Sequence, residues 1–344
     1  MDQSASKRPA AIGRRACLAA PLAASLAPSA SPAAAERASL PVLRLGILQF
    51  GTAQWVADVI RRHRMDAAHG FTLQAARLAN TDAGRVALLA GGADVVVSDW
   101  PFVAVQRASG NRLCFAPFSS ATGGIMVRAG APIRSLADLR GRSLGVAGGP
   151  LDKSWLLVQA AGRMGTPPID LAASTRIAYG APPLLDAKLM QGELDAVLTF
   201  WNFAARLRAA SYREAIDVAD CARALGLPPR LGLLGFVFHQ EWAEAHRQVL
   251  DGFLDAAMAA QALMARSDAE WSALRPLMDA PDPALFAALR DGFVAGIGHP
   301  TAAEEQATAA RVLAILLRTG GRRATGGIAA LPSGVFWPEP DARI

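Results

Sequence analysis

The sequence predicts an α/β protein built on mainly parallel sheets flanked by helices, and three observations carry that expectation. Short, almost continuously apolar runs recur at VLRLGILQFGTA (42–53), ADVVVSDWPF (93–102), RSLGVAGGPLDKS (142–154) and GELDAVLTFWNF (192–203). Val, Leu and Ile fill them as they fill strands buried on both faces. Each run ends in a small or polar loop ahead of a helical segment, an order that dictates parallel strands with right-handed crossovers. Four tryptophans, Trp55, Trp100, Trp155 and Trp201, lie in or beside these loops. Ligands of open α/β sheets bind outside the carboxyl ends of such strands, so the pattern points to a ligand cleft.

Residues 1–35 read as an export signal. Lys7, Arg8, Arg14 and Arg15 form a basic start, 16–30 is an Ala/Leu-rich stretch too short to span a bilayer, and Ala33-Ala34-Ala35 suits cleavage that leaves Glu36 first. Arg14-Arg15 followed by Leu18 resembles a twin-arginine signal, with an ordinary secretory signal as the alternative. The expected location is the periplasm. Removing four basic residues and Asp2 lowers the formal charge from +6 to +3. No Lys/Arg stripe remains, which argues against a nucleic-acid partner. No later apolar run approaches the roughly 18 residues of a membrane helix. The 309 residues that remain predict two domains. Of the three cysteines, Cys114 and Cys221 stay, both in apolar surroundings that suit buried free thiols.

From Val42 to about Val127 the order reads as strand and helix in alternation. The helix 53–64 turns Ala53, Val56, Ala57 and Ile60 to one side; Thr81 or Asp82 caps the next helix, which closes at Gly91-Gly92. Ile125–Arg128 reads as a strand leaving the first sheet. After Gly130-Ala131-Pro132, a capped single turn at 135–139 precedes Leu144-Gly145-Val146, the start of a second sheet. Then come helix 152–164, strand 175–179, helix 183–191, strand 195–200 and helix 202–209. Gly232–His239 reads as one more strand, and helices follow at 241–265, 267–278, 283–295 and 301–318. The expected division is a first lobe of 42–128 plus 232–318, an inserted second lobe of 133–228, and a pendant tail of 319–344. Two connecting strands make a hinge geometrically possible, with the last helices packed on the first lobe.

The string SLADLRGRSLGVAGG, followed about forty-five residues later by LMQGELDAVLTFW, resembles the solute-binding proteins of ABC importers. The nearest branch is that of sulfonate, nitrate and thiamine-precursor binders, and the likeness runs in order and spacing over most of 42–318. It implies the two-lobe periplasmic-binding-protein fold of type II, closing on one small-molecule ligand and presenting it to an ABC permease. The resemblance implies a monomer without a cofactor.

By position, the first-lobe cleft loops are Gln49–Trp55, Ser98–Pro101 and Ser119–Gly124; those of the second are Gly148–Trp155, Tyr179–Pro182 and Phe200–Asn202. Candidate ligand contacts are Gln49, Thr52, Trp55, Ser98, Asp99, Trp100, Thr122, Gly148, Gly149, Asp152, Lys153, Trp155, Tyr179, Trp201 and Asn202. Gly148-Gly149 ahead of a helix resembles an anion site, because free N–H groups and the helix dipole favour negative charge there. Pro150 has no N–H to offer, and Asp152 brings a carboxylate into the first turn, unless Lys153 turns inward to compensate; the alternative is an ordinary βα turn with Asp152 as the acidic cap of its helix. Asp99 beside Trp100 suits an ammonium group, or else caps the following helix. Trp100 and Trp201 are expected to face each other across the cleft. These residues tilt the ligand toward an apolar, aromatic or cationic molecule and away from a bare oxyanion.

Catalysis finds little support. His63, His69, His239, His246 and His299 are scattered, with no metal-binding spacing, and the chain has no GxSxG elbow or P-loop. Related pyrimidine-forming enzymes use a histidine and a cysteine-rich segment absent from this sequence. A ligand-sensing protein that reports to a membrane sensor, or an enzyme on the same scaffold, are the alternatives.

Overall fold

The computed structural model describes residues 39–228, 230–298 and 301–338. The signal reading of 1–35 and His299 lie outside the described residues. In chain order come β1 (Val42–Leu48), α1 (Ala53–Arg62), α2 (Met65–Ala68), β2 (Thr72–Leu78), α3 (Thr81–Leu89), β3 (Val95–Asp99), α4 (Trp100–Ala108) and β4 (Leu113–Ser119). The next strand, β5 (Gly124–Arg128), precedes a 3₁₀ turn at Leu136–Leu139 closed by a Ser135/Asp138 capping box. There follow β6 (Ser143–Ala147), α5 (Lys153–Met164), α6 (Leu171–Ser174), β7 (Arg176–Gly180), α7 (Pro182–Gln191), β8 (Ala196–Thr199), α8 (Trp201–Ala209), β9 (Tyr212–Asp217) and α9 (Val218–Ala224). The chain ends with β10 (Leu234–His239), α10 (Gln240–Ala245), α11 (Arg247–Arg266), α12 (Asp268–Met278), α13 (Pro283–Ala295) and α14 (Ala302–Ala324).

The strands form two five-stranded sheets, ordered β2-β1-β3-β10-β4 and β7-β6-β8-β5-β9. The two share one plan: the fourth strand of each order runs antiparallel to its neighbours. In the first sheet that strand is β10, which returns from the second. In the second it is β5, which arrives from the first. The expectation that 125–128 lies at the exit of the first sheet is therefore corrected. Ile125, Met126 and Val127 are fully buried, an apolar run that suits an interior strand of either sheet, and pairing with β8 and β9 decides the matter.

Three further differences bear on the architecture. The helix expected over 241–265 breaks at His246, whose backbone leaves the helical region (φ −121°, ψ 38°). Helix α14 runs past 318 to 324 with a kink at Gly321, and it packs on α5 beside the second sheet, not on the first. Its Ala309, Val312, Leu313 and Leu316 share a core with Trp155, Leu157 and Leu225. The end of the chain is not pendant. Phe336 bridges Phe115 in parallel, the Phe115 N–H donates to the Val335 carbonyl at 2.7 Å, and the Trp337 N–H donates to the Phe115 carbonyl at 2.9 Å. Thus Val335–Trp337 lines the edge of β4.

Candidate functional site

The carboxyl ends of β1 and β3 and those of β6 and β8 converge, so both sheets supply the site. From the first sheet, β3 ends in Ser98 and Asp99, both buried. Asp99 caps α4, accepting from the Phe102 N–H at 3.0 Å; its other oxygen accepts from Arg85 Nη2 at 3.2 Å. The same guanidinium donates to Ser98 Oγ at 3.4 Å and lies 4.6 Å over the Phe102 ring. Both Asp99 oxygens are thus occupied, and the capping role holds. Thr52 is buried at the start of α1, Thr122 is half-buried in the β4–β5 connection, and Gln49 is exposed at the rim.

From the second sheet, Gly148 turns the chain with a positive φ of 88°, a conformation glycine adopts without strain. A side chain at Gly149 would meet nothing within 4 Å. Asp152 caps α5, accepting from the Ser154 N–H at 2.9 Å and the Trp155 N–H at 3.3 Å. Burial pushes its carboxyl up; Lys153 opposes that, and the charge of Asp99 adds to it. Two carboxylates, one from each sheet, are therefore close enough to feel each other.

Lys153 turns inward. Its side chain is only 11% exposed, its Nζ stands 3.8 Å from Asp152 Oδ2, and it lies 5.3 Å over the Phe200 ring. Among the described residues no hydrogen-bond acceptor reaches this ammonium. The tilt toward a cationic ligand rested on Pro150 and Asp152 spoiling an anion site and on Asp99 beside Trp100; Lys153 turns inward, and both Asp99 oxygens are taken by Arg85 and the Phe102 N–H.

The structure brings together Ser98, Asp99, Gly148, Asp152 and Lys153; Thr52 is buried at the start of α1 and is not shown against them. Asn202 Nδ2 donates across to the Phe50 carbonyl at 3.3 Å, and Phe50 meets Phe203 edge-on at 5.8 Å. The tryptophans divide. Trp100 and Trp155 are fully buried in one apolar core, so Trp100 does not face Trp201. Trp201 instead meets Trp55 at 6.2 Å, within a cluster that includes Phe293 and Trp271. Trp55 Nε1 is buried with no partner among the described residues. Tyr179 is exposed at the rim.

Sequence reasoning missed Arg85, fourteen residues before the carboxylate it grips, for which no local signal exists. Phe50 and Phe200 lie within the expected cleft loops 49–55 and 200–202 but were not singled out as contacts, because only tryptophan among the aromatic residues there was weighed. A cavity of about 510 Å³ lies elsewhere, among α11, α12 and α13. Arg290 pairs there with Asp268 and Asp291, Arg266 is exposed, and Trp271 Nε1 donates to the Met264 carbonyl at 2.7 Å. It has no nearly buried ammonium short of hydrogen-bond acceptors, as Lys153 is between the sheets.

Comparison with known proteins adds to this geometry. The family described as NMT1/THI5 like matches residues 68–270. No curated protein matches the sequence. Among solved structures, the alkanesulfonate-binding protein SsuA from Xanthomonas axonopodis pv. citri, bound to MOPS, is 17% identical with a TM-score of 0.66; the alignment covers 87% of this chain and 99% of that one. The periplasmic aliphatic sulphonate binding protein SsuA from Escherichia coli is 19% identical with a TM-score of 0.64, covering 86% and 96%. The desulfurization enzyme DSZB is 16% identical with a TM-score of 0.54, covering 81% and 92%. The fold is the two-lobe periplasmic-binding-protein fold.

Proposed function

The chain belongs to the NMT1/THI5-like family, and on that premise we propose that it is an exported solute-binding protein that captures a small organic molecule between its lobes. The observation that carries this reading is the inward Lys153 ammonium, nearly buried and without a hydrogen-bond acceptor among the described residues. A buried ammonium is costly until its donors are satisfied, and an anionic or strongly accepting ligand head satisfies them. Gly149, open and at the mouth of the same loop, leaves room for that head. Thr52, Ser98 and Asn202 offer short polar groups, and the Phe50 and Phe200 rings offer apolar wall for an organic body. The ligand stabilises the closed arrangement through contacts that both lobes make at once.

Delivery to an ABC permease, a cleaved signal ending near Ala35, a periplasmic location and a monomeric state complete the proposal. The likeness to SsuA structures supports them only through the fold they share. Catalysis remains the second reading because DSZB, an enzyme, shares the scaffold. Against it, burial first, then Asp217 and Asp220, push the Cys221 thiol up to about 12, leaving no thiolate nucleophile there at neutral pH.

Thermal-shift screening of small organic acids, sulfonates and carboxylates with apolar bodies, tests the proposal. A ligand at about 100 times its Kd adds roughly 2.7 kcal/mol of stability. At least one such compound should raise Tm by several degrees, be recovered unchanged, and lose its effect on Lys153→Met. Absence of any stabilising acid, or chemical conversion of the compound that binds, would defeat it.

A further inference from the structure

Helix α8 follows a strand of the second sheet, yet it is buried on two sides. Ala204 and Leu207 pack with Val197, Leu185 and Met126 on the second sheet. The other stripe, Trp201, Asn202, Ala205 and Arg206, at i and i+4 spacing, is set into first-lobe elements. Ala205 belongs to the core that contains Trp55 and Phe293. The Trp201 ring packs against Gly292, where an added Cβ would stand only 2.8 Å from Cζ3 and 2.9 Å from Cε3. Arg206 donates to the carbonyls of Met278 and, at 3.0 Å, Asp279, the free C-terminal carbonyls of α12. Burial lowers the Arg206 guanidinium pKa, with Asp279 opposing, as for a charge taken partly out of water.

We propose that this stripe is the latch that holds the two lobes closed, with Trp201 as a knob in the Trp55–Gly292–Phe293 socket and Arg206 as its bolt on the end of α12. The inference rests on the solute-capture reading of the cleft. Trp201 and Arg206 are positioning residues: they set the fraction of molecules in the closed form. Apparent affinity scales with that fraction, so loosening the latch weakens every ligand by the same factor. Changes at Lys153 weaken ligands according to their heads.

The test uses the unliganded chain from Glu36 onward, which lacks Cys17, with spin labels at Val86→Cys on α3 and Leu184→Cys on α7, both exposed, while Cys114 and Cys221 are buried. Pulsed dipolar spectroscopy should give Gly292→Ala, Trp201→Ala and Arg206→Met a longer-distance population that the parent protein holds at a lower level. Trp201→Phe and Arg206→Lys should restore most of the short distance. Distances unchanged in Gly292→Ala and Arg206→Met, with both still unfolding cooperatively, would overturn the latch. Should Gly292→Ala fail to fold, Arg206→Met decides, since it removes two hydrogen bonds and leaves the apolar core in place. The outcomes separate the two claims. Opened variants with no ligand found in the acid screen would sink solute capture and leave the latch; a ligand found with no opening would sink the latch alone.

Discussion

Asp152 and Lys153 are neighbours in sequence and opposites in charge, and their side chains share one buried corner of the cleft. An anionic ligand head placed beside Lys153 also sits beside Asp152, whose carboxyl is already pushed up by burial. Binding should then favour the protonated carboxyl, take up a proton, and tighten as pH falls. Calorimetry with one stabilising acid in two buffers of different ionisation enthalpy measures that uptake; a heat independent of buffer would contradict it. Asp186 gives a pH effect on folding. Its carboxyl lies in an apolar layer with Oδ1 unpartnered among the described residues, and burial raises its pKa to about 7, with Thr199 opposing. Glu305, which accepts from the Gly232 N–H at 2.6 Å, is raised by burial to about 7 as well. Native protein thus holds protons that the unfolded chain has released, so stability rises as pH falls from about 7 toward 4 and is flat above. In urea melts at several pH values, Asp186→Asn should remove part of that slope and leave the Glu305 part. The Asp99 and Asp152 caps were legible, because a carboxylate ahead of a helix accepts its free N–H groups whatever lies around it. The inward turn of Lys153 was not, since Phe200, forty-seven residues away, decides it.

At the scale of elements, legibility followed burial. Strands such as β3 and β8, which carry the runs Val95–Val97 and Ala196–Leu198, stood out; β9, Tyr212–Asp217, half-buried throughout and polar at Arg213, Glu214 and Asp217 without alternation, did not. The Thr301/Glu304 capping box marks the start of α14, whereas the end expected at Arg318 was overrun: the helix goes on to Ala324 through a kink at Gly321. Which sheet receives β5 depends on pairing partners, and no local pattern encodes that. Gly235 shows how tight such pairing is in β10: a Cβ there would lie 2.3 Å from the Ala116 carbonyl oxygen and 2.5 Å from the Phe115 ring. Gly235→Ala should therefore cost about 1–3 kcal/mol in urea unfolding. Gly149→Ala should leave stability nearly unchanged yet weaken ligand binding. A fully stable Gly235→Ala would show that the β10–β4 packing is looser than described.

Across the whole molecule, the paired-sheet plan was legible from the order of apolar runs, and the placement of α14 and of the chain end was not. No described helix is long and apolar enough to cross a membrane. If residues 1–35 are the proposed export signal, mature protein from the periplasm should begin at or near Glu36; Edman sequencing that found Arg14 retained would refute the signal. One feature of the topology reaches into biosynthesis. All five strands of the second sheet come from the unbroken stretch 124–217, while the first sheet waits for β10 and, at its β4 edge, for Val335–Trp337. As the polypeptide emerges from the ribosome, the second sheet has all five strands by Asp217 and the first by His239, but the β4 edge waits almost a hundred residues more for Val335–Trp337. A nascent chain stalled near residue 330 would therefore expose an open β4 edge, the state in which strand-to-strand association between copies begins.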